Sequence, residues 1–135
     1  IRSLSVKIKF LIFIFLALQI IPSMSFADWK FVDTNIDGDT YYIDPITIKK
    51  KDNYRYYMQL DNYIVPDQYG VMSVVSYRQS DCNTLQFKYL SDGYYDEPMA
   101  KGKLLHQNNI ADDDWTVVPQ NSVFATIIKY ACNFN

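Results

Sequence analysis

Cys82 and Cys132 are the only cysteines in the chain, and they limit how it can fold. They are separated by 50 residues. In an oxidising compartment an even number of cysteines is typical of disulfide bonding, and a bridge over a loop of this length would stabilise the fold by about 4 kcal/mol. Neither cysteine belongs to a CxxC motif or has a plausible histidine partner in the sequence. The pair therefore predicts a structural disulfide rather than a redox or catalytic site.

The N-terminal residues indicate that the chain is exported. Basic side chains are followed by an apolar run, which is shorter than the roughly 20 residues of a membrane span, and then by small residues. These features are Arg2, Lys7 and Lys9, the apolar run 10–18, and Ser25 and Ala27. They predict a signal peptide over residues 1–27 that is cleaved after Ala27, with an uncleaved anchor as the alternative. No cysteine in or next to this segment could carry a lipid, so we expect a periplasmic, cell-surface or secreted protein with no transmembrane segment after cleavage.

The charge of the remaining chain excludes some partners. All 15 acidic side chains but only ten of the 13 basic ones follow Ala27, so residues 28–135 carry a net charge of −5. An acidic chain has no electrostatic reason to bind nucleic acid or an anionic membrane surface. Its length fits one domain with a single core.

Alternating aromatic and β-branched residues predict an antiparallel meander of about six short strands. The clearest strands are Trp29–Asp33, Thr40–Asp44, Tyr54–Tyr63, Met72–Ser80 and Thr84–Leu90, and Ile46–Lys49 leads through a polar turn into the third of them. Pro45 should end the second strand. Polar residues predict turns over Lys50–Asn53 and Ser91–Gly93.

The C-terminal residues change to a helical period. Asn121 or Ser122 can cap a helix over Val123–Cys132. Its apolar residues, Phe124, Ile127, Ile128 and Ala131, fall on one stripe that suits a sheet surface. We therefore predict an α+β fold, with the helix packed on one face of the sheet and tied to it by the disulfide.

One acidic segment resembles a calcium-binding loop. Its candidate oxygen ligands are Asp33, Asn35, Asp37, Asp39 and Asp44, and Gly38 follows Asp37. The flanking residues have strand character, and Pro45 prevents a helix from following. We therefore interpret the segment as a polar Asp-Gly turn between two strands, with calcium binding as the alternative.

The remaining polar clusters do not indicate catalysis. Asp112–Asp114 has no neighbouring histidine or cysteine, and His106, the only histidine, has no evident nucleophile or carboxylate partner. The basic run Lys49–Lys51 is best interpreted as a soluble turn, with polyanion binding as the alternative. We predict no catalytic residue, no metal, no cofactor and no enzymatic activity.

Tyrosine is the one residue type that suggests a binding surface. The doublets Tyr41-Tyr42, Tyr56-Tyr57 and Tyr94-Tyr95 each place one ring on either face of a strand. One ring of each doublet would fill the core, and the other would face solvent or a partner. Ordinary packing between neighbouring strands would explain the same pattern.

From Trp29 onward the order of motifs resembles the bacterial surface-adhesin protein E-like domain family. The matching segments are, in order, WKFV, YYID, SYRQSDC, LQFKYL, YYDEPMAKGKLL and WTVVPQNSVFATIIKYAC. Together they extend over essentially all of residues 28–135, which we predict to form one domain of this family.

The resemblance implies an antiparallel sheet flanked by a C-terminal helix and locked by the disulfide, in a non-enzymatic protein. The family's namesake is a lipid-anchored outer-membrane adhesin that binds host extracellular-matrix and plasma proteins. We therefore expect an exported domain that binds protein or glycan partners. The alternative is a soluble periplasmic envelope accessory or a small-ligand-binding protein. No binding residue is carried over from the family, and the oligomeric state stays open.

Overall fold

The computed structural model describes residues 27–135, which form seven strands, a short 3-10 turn and one helix. The predicted signal peptide, apart from Ala27, lies outside the described residues. The elements are β1 (Lys30–Thr34), β2 (Thr40–Lys51), β3 (Tyr54–Asn62), β4 (Ser73–Asp81), β5 (Gln86–Tyr95), the 3-10 turn (Pro98–Ala100), β6 (Leu104–Asn108), β7 (Thr116–Val117) and α1 (Val123–Asn133).

The strands build one antiparallel sheet in chain order. Strands β1 to β6 are consecutive neighbours, as in a meander, and β7 pairs with the first two residues of β5. Strand β6 pairs with the second half of β5, so the two short strands share one long neighbour. The predicted α+β fold and meander are confirmed, and β1, β3 and β4 lie within one residue of their predicted bounds.

Strand β2 does not end at Pro45, which corrects one prediction. The pairing of β2 with β3 shifts register between Asp44 and Lys49. Within this bulge Thr47 Oγ1 donates a hydrogen bond to the Asp44 carbonyl (2.6 Å) and accepts one from the Met58 N–H (2.9 Å). A bulge tolerates proline because the missing N–H falls outside the regular ladder. The threonine hydroxyl satisfies a β3 donor at this position, and the strand continues.

The predicted turn over Ser91–Gly93 is also wrong, because these residues lie inside β5. Asp92 and Gly93 pair with Ser76 and Val75 of β4. A Cβ atom on Gly93 would lie 2.9 Å from Oε1 of Gln107, a flexible side chain on the paired strand β6. Strand β6 was not predicted, since it offers only two adjacent leucines and no alternation.

Helix α1 confirms the C-terminal prediction and extends it to Asn133. Ser122 is the N-cap, and its Oγ accepts a hydrogen bond from the Ala125 N–H (3.2 Å). The buried residues of the helix are Ala125, Ile127, Ile128 and Ala131, whereas Phe124 is half-buried. They pack against Tyr41, Ile43 and Tyr57 at one side and against Phe87 and Val118 at the other.

The predicted disulfide joins Cys82, directly after β4, to Cys132 in the last turn of α1. It ties the end of the helix to the end of a central strand. We call the helix-covered side of the sheet the inner face and the opposite side the outer face. Within residues 27–135 no helix has the length and apolar character needed to span a membrane.

Candidate functional site

The tyrosine doublets divide between the two faces, as their alternation predicts. Tyr57 is fully buried on the inner face, where its hydroxyl bonds with Ser80 Oγ (2.7 Å), whereas Tyr56 is half-buried on the outer face. Tyr41 is likewise buried, and its neighbour Tyr42 is half-buried. Alternation along one strand therefore provides both core residues and surface rings.

The outer face carries a cluster of rings and polar side chains that we call the aromatic patch. It consists of Tyr54, Tyr56, Tyr77, Gln79, Lys88 and Trp115, all of them half-buried. Tyr54 stacks on Trp115 with ring centroids 5.8 Å apart and an interplanar angle of 13°. The Lys88 ammonium lies 4.9 Å from the Trp115 ring centroid, within the range of a cation–π contact.

A second ring pair continues the patch across β3 and β4. The Tyr56 and Tyr77 centroids are 6.5 Å apart, and Gln79 Nε2 donates to the Tyr56 hydroxyl (3.0 Å). Strand register explains the grouping, because Tyr56 lies opposite Gln79 and Gln79 lies opposite Lys88. Residues directly opposite on antiparallel strands share a face.

The basic run Lys49–Lys51 ends β2, and its residues alternate between the faces. Lys49 and Lys51 lie opposite Tyr56 and Tyr54, so they border the aromatic patch, whereas Lys50 lies opposite Arg55 on the inner face. All three lysines are exposed. The run is part of a strand rather than a turn, and the turn itself consists of Asp52 and Asn53.

An apolar groove adjoins the aromatic patch on the outer face. Its volume is about 670 Å³, and its apolar lining includes Trp29, Met58 of β3, Val75 of β4, Tyr95 of β5 and Met99 of the 3-10 turn. Met58 lies opposite Tyr77, so the groove and the patch are continuous.

The wall of this groove contains two residues in the left-handed backbone region. Met99 has φ 61° and Ala100 has φ 58°. Asn62 Oδ1 accepts a hydrogen bond from the Met99 N–H (2.8 Å), and Ser73 Oγ accepts one from the Ala100 N–H (3.0 Å). Non-glycine residues adopt this conformation at a cost of about 1–3 kcal/mol and need such support. The two polar side chains of β3 and β4 therefore fix the shape of the groove.

The acidic segment forms an internally bonded turn between β1 and β2. Asn35 Oδ1 accepts hydrogen bonds from the N–H groups of Asp37 (3.0 Å) and Asp39 (2.9 Å), and Asp39 Oδ1 accepts one from the Ile64 N–H (2.9 Å). Asp33 accepts from the Thr34 N–H, and Asp44 lies in β2, where it accepts from the Ile46 N–H. Among the residues the structure describes, no three or more His, Cys, Asp or Glu side chains group as metal ligands would.

The other polar candidates of the sequence are also placed. Asp112 makes two hydrogen bonds with the backbone of Tyr89 in β5. Its Oδ2 accepts from the Tyr89 N–H (3.0 Å), and its own N–H donates to the Tyr89 carbonyl (2.8 Å). This pair of bonds positions Trp115, three residues later, beside Lys88. Asp112 therefore has a structural role that its sequence did not reveal, whereas Asp113 and Asp114 are exposed.

A second cavity lies between the β3–β4 loop and the β5–β6 hairpin. Its volume is about 630 Å³, and its lining is Asp67, Tyr69, Val71, Tyr94, Leu105 and His106. The only histidine is therefore a cavity residue, with its ring 5.9 Å from that of Tyr94. Neither cavity was predicted, because each combines residues that are distant in sequence and have no shared motif.

The fold and the surface together define a class of protein: a small disulfide-tied α+β domain with one sheet face covered by a helix and the other exposing aromatic rings. The family profile for Surface-adhesin protein E matches residues 29–133. The chain belongs to this family. No curated protein matches the sequence.

Solved structures agree with this fold. The chain resembles crystal form II of Haemophilus influenzae protein E with a TM-score of 0.59 at 16% identity, over 84% of this chain and 94% of that one. Protein E from non-typeable Haemophilus influenzae gives a TM-score of 0.53 at 15% identity, over 82% and 79% of the two chains. At such low identity the likeness establishes the shared fold.

Proposed function

We propose that residues 28–135 act as an exported, non-enzymatic adhesion domain that binds proteins or glycans outside the cytoplasm through the aromatic patch. The patch is the observation that carries the proposal. Membership of the surface-adhesin protein E family supports it, as does the predicted signal peptide.

The chemistry of the patch suits recognition. Tyrosine and tryptophan offer large contact areas with few rotatable bonds and are enriched among the residues that dominate binding energy. Gln79 and Lys88 add hydrogen-bond donors beside the rings, and Lys49 and Lys51 add positive charge at the border. Such a surface can stack on a sugar ring or an aromatic side chain and bond with nearby acceptors.

The first test is surface exposure. Intact cells are treated with protease, and the chain is then detected with an antibody. Degradation is the expected result, and N-terminal sequencing of the untreated protein should begin at Asp28. Protection in intact cells, with release when the outer membrane is opened, would contradict a surface location.

The second test measures binding by the purified, oxidised domain. Immobilised matrix, plasma and envelope components are screened, and a double substitution, Tyr56→Ala with Trp115→Ala, should reduce binding at least tenfold, or about 1.4 kcal/mol. Phe134→Ala, an exposed ring beyond the end of α1, is the matched control and should leave binding unchanged. If the domain binds none of these components, or if both variants bind equally, the patch is not an adhesion surface.

The apolar groove supports a second candidate, a periplasmic envelope accessory or small-ligand carrier. Its volume of about 670 Å³ lies in the range of small-molecule sites, roughly 300–1,000 Å³. Mass spectrometry of the protein purified under native conditions would detect a bound molecule. A copurifying small molecule, lost when Val75→Phe fills the groove, would favour this candidate over adhesion.

A further inference from the structure

The cavity between the β3–β4 loop and the β5–β6 hairpin is separate from the aromatic patch. Tyr94, which contributes one wall, lies opposite Val74 of β4. Val74 is on the same face of β4 as Ser76 and Arg78, which is the inner face. The cavity therefore belongs to the inner side of the sheet, and any ligand in it would act independently of the proposed adhesion surface.

Aromatic rings form much of the cavity wall. Tyr69, Tyr94 and His106 line it together with the apolar side chains of Val71 and Leu105. The Tyr94 and His106 rings are tilted by 36° at a centroid distance of 5.9 Å. The face of a tyrosine ring is electron-rich and attracts a cation that approaches within about 6 Å.

The lining of the cavity contains one carboxylate, that of the exposed Asp67. Asp67 is a lining residue, and its Oδ1 accepts hydrogen bonds from the N–H groups of Tyr69 (2.8 Å) and Val71 (2.9 Å). These bonds fix the carboxylate at the wall, and its Oδ2 makes no hydrogen bond within residues 27–135. Among the residues that the structure describes, no lysine or arginine lines the cavity.

A second carboxylate, that of Asp92, is hydrogen-bonded to Tyr94. The Tyr94 hydroxyl donates to Asp92 Oδ2 (3.1 Å), and Asp92, only 7% exposed, has a buried Oδ1 with no hydrogen-bond partner in the described part of the chain. Burial, together with the Asp92 charge, raises the pKa of Tyr94 to about 12, so the phenol stays protonated and donates to the carboxylate. The cavity thus combines aromatic walls with one carboxylate in its lining and a second that is hydrogen-bonded to a lining tyrosine.

We propose that this cavity binds a small organic ammonium ion. The rings would contact the alkyl groups around the nitrogen, while Asp67 and Asp92 would stabilise its positive charge. An anion would be repelled by the carboxylates, and a bare metal ion would find too few oxygen ligands on these mainly apolar walls. The volume of about 630 Å³ accommodates a trimethylammonium group with a short chain.

The test compares two ligands of the same shape. Choline and its neutral carbon analogue, 3,3-dimethylbutan-1-ol, are titrated into the full mature domain while NMR follows the signals of Tyr94 and His106. We expect choline to bind about tenfold more tightly, which corresponds to about 1.4 kcal/mol. Equal affinities would identify a neutral apolar cavity and overturn the proposal, as would a lack of binding by both.

Isosteric variants test whether the Asp67 carboxylate is the charge that attracts choline. Asp67→Asn keeps the Oδ1 acceptor that holds the loop but removes the charge, so choline binding should weaken at least fivefold while binding of the neutral analogue is unchanged. Asp37→Asn, at an exposed turn residue elsewhere, is the matched control for loss of one negative charge. If both variants weaken choline binding equally, the attraction is only the net charge of the domain, and the site is refuted.

Two further measurements identify the chemical source of the ammonium group and distinguish this proposal from the proposed adhesion. Nα-acetyl-lysine amide carries a primary ammonium, so tighter binding than choline would indicate a lysine side chain of a protein, and weaker binding a methylated amine. The Tyr56→Ala and Trp115→Ala substitution should not change choline affinity, because the aromatic patch lies on the other face of the sheet. A loss in that variant would contradict the assignment to this cavity.

Discussion

The two faces of the sheet differ in burial, although the same strands contribute residues to both. On the inner face, Tyr57 and Arg78 are 0% and 1% exposed, whereas Tyr56 and Tyr77, their chain neighbours, are half-buried on the outer face. The inner residues gain their partners from α1 and neighbouring strands. The outer residues keep part of each ring free. Stability and recognition can therefore be altered separately, by changing one residue or the next.

The inner face differs from an ordinary apolar core because it contains a charge. Arg78 lies between the rings of Phe87, Tyr89 and Phe124, with its guanidinium carbon 4.4, 4.5 and 5.4 Å from their centroids. Its Nη2 lies 3.5 Å from Asp61 Oδ2, and its Nε donates to Ser76 Oγ (3.0 Å). The charge is thus paired and surrounded by electron-rich rings, which is the condition for keeping it in the core.

Removing this charge should have the largest effect on stability. In Arg78→Met the Asp61 carboxylate stays buried without its cation, so we expect a loss of about 5 kcal/mol at neutral pH. Urea denaturation measures the free energy of unfolding. Burial already raises the pKa of Asp61, and Arg78 opposes that rise.

The same variant makes a prediction about pH. Without Arg78 the folded-state pKa of Asp61 rises further, so its unfavourable charge disappears as the pH falls and the deficit should shrink in acid. The double variant Arg78→Met with Asp61→Asn should recover part of the stability. A deficit below about 1 kcal/mol at neutral pH would mean that the inner face does not depend on the pair.

The disulfide should have the next largest effect. Replacing both cysteines, Cys82→Ser with Cys132→Ser, removes the tie between α1 and β4 and frees a 50-residue loop in the unfolded chain. We expect a loss of about 4 kcal/mol and a clearly lower melting temperature. An unchanged melting temperature in oxidising buffer would show that the cysteines are not bridged in the protein.

A matched pair of phenylalanine substitutions compares the faces directly. Tyr57→Phe leaves Ser80 Oγ without its buried partner, so we expect a loss of about 1–3 kcal/mol. Tyr56→Phe removes only a half-exposed bond from Gln79, which water can replace, and should cost less than about 0.5 kcal/mol. Equal losses in the free energy of unfolding, measured by urea denaturation, would contradict the difference between the buried inner face and the half-buried outer face.

The smallest effect at neutral pH concerns tyrosine ionisation. Burial, followed by the charges of Asp61 and Asp39, raises the pKa of Tyr41 to about 12, and burial raises the pKa values of Tyr57 and Tyr89 as well. In the unfolded chain tyrosine ionises near pH 10. The stability that Tyr41 contributes is therefore fully present below about pH 10 and is lost as the pH rises through about 12, and that of Tyr57 and Tyr89 is likewise lost above pH 10.

Ultraviolet titration of phenolate, with circular dichroism in parallel, checks this prediction. Tyr41, Tyr57 and Tyr89 should ionise only as the fold is lost. Ionisation of these three tyrosines near pH 10 in a chain that stays folded would contradict the prediction.

Local patterns in the sequence were sufficient for much of the fold. The 3.6-residue period predicted α1, and alternation predicted β1, β3 and β4, because these signals depend on residues close in the chain. The continuation through Pro45 could not be foreseen, since it depends on a hydroxyl of Thr47 and a donor on β3. Gly93 was interpreted as a turn residue, because its close neighbour Gln107 is brought near only by pairing with β6.

The sequence by itself determined the strand character, the C-terminal helix, the cysteine pair and the division of each tyrosine doublet between two faces. All of these follow from residue type and short-range spacing. Tertiary structure alone decided which rings meet in the aromatic patch, that Arg78 is buried among three rings, and that Asp67, Tyr94 and His106 share a cavity. Such groupings depend on strand register and loop packing, which join residues distant in the chain and leave no periodic signal in it.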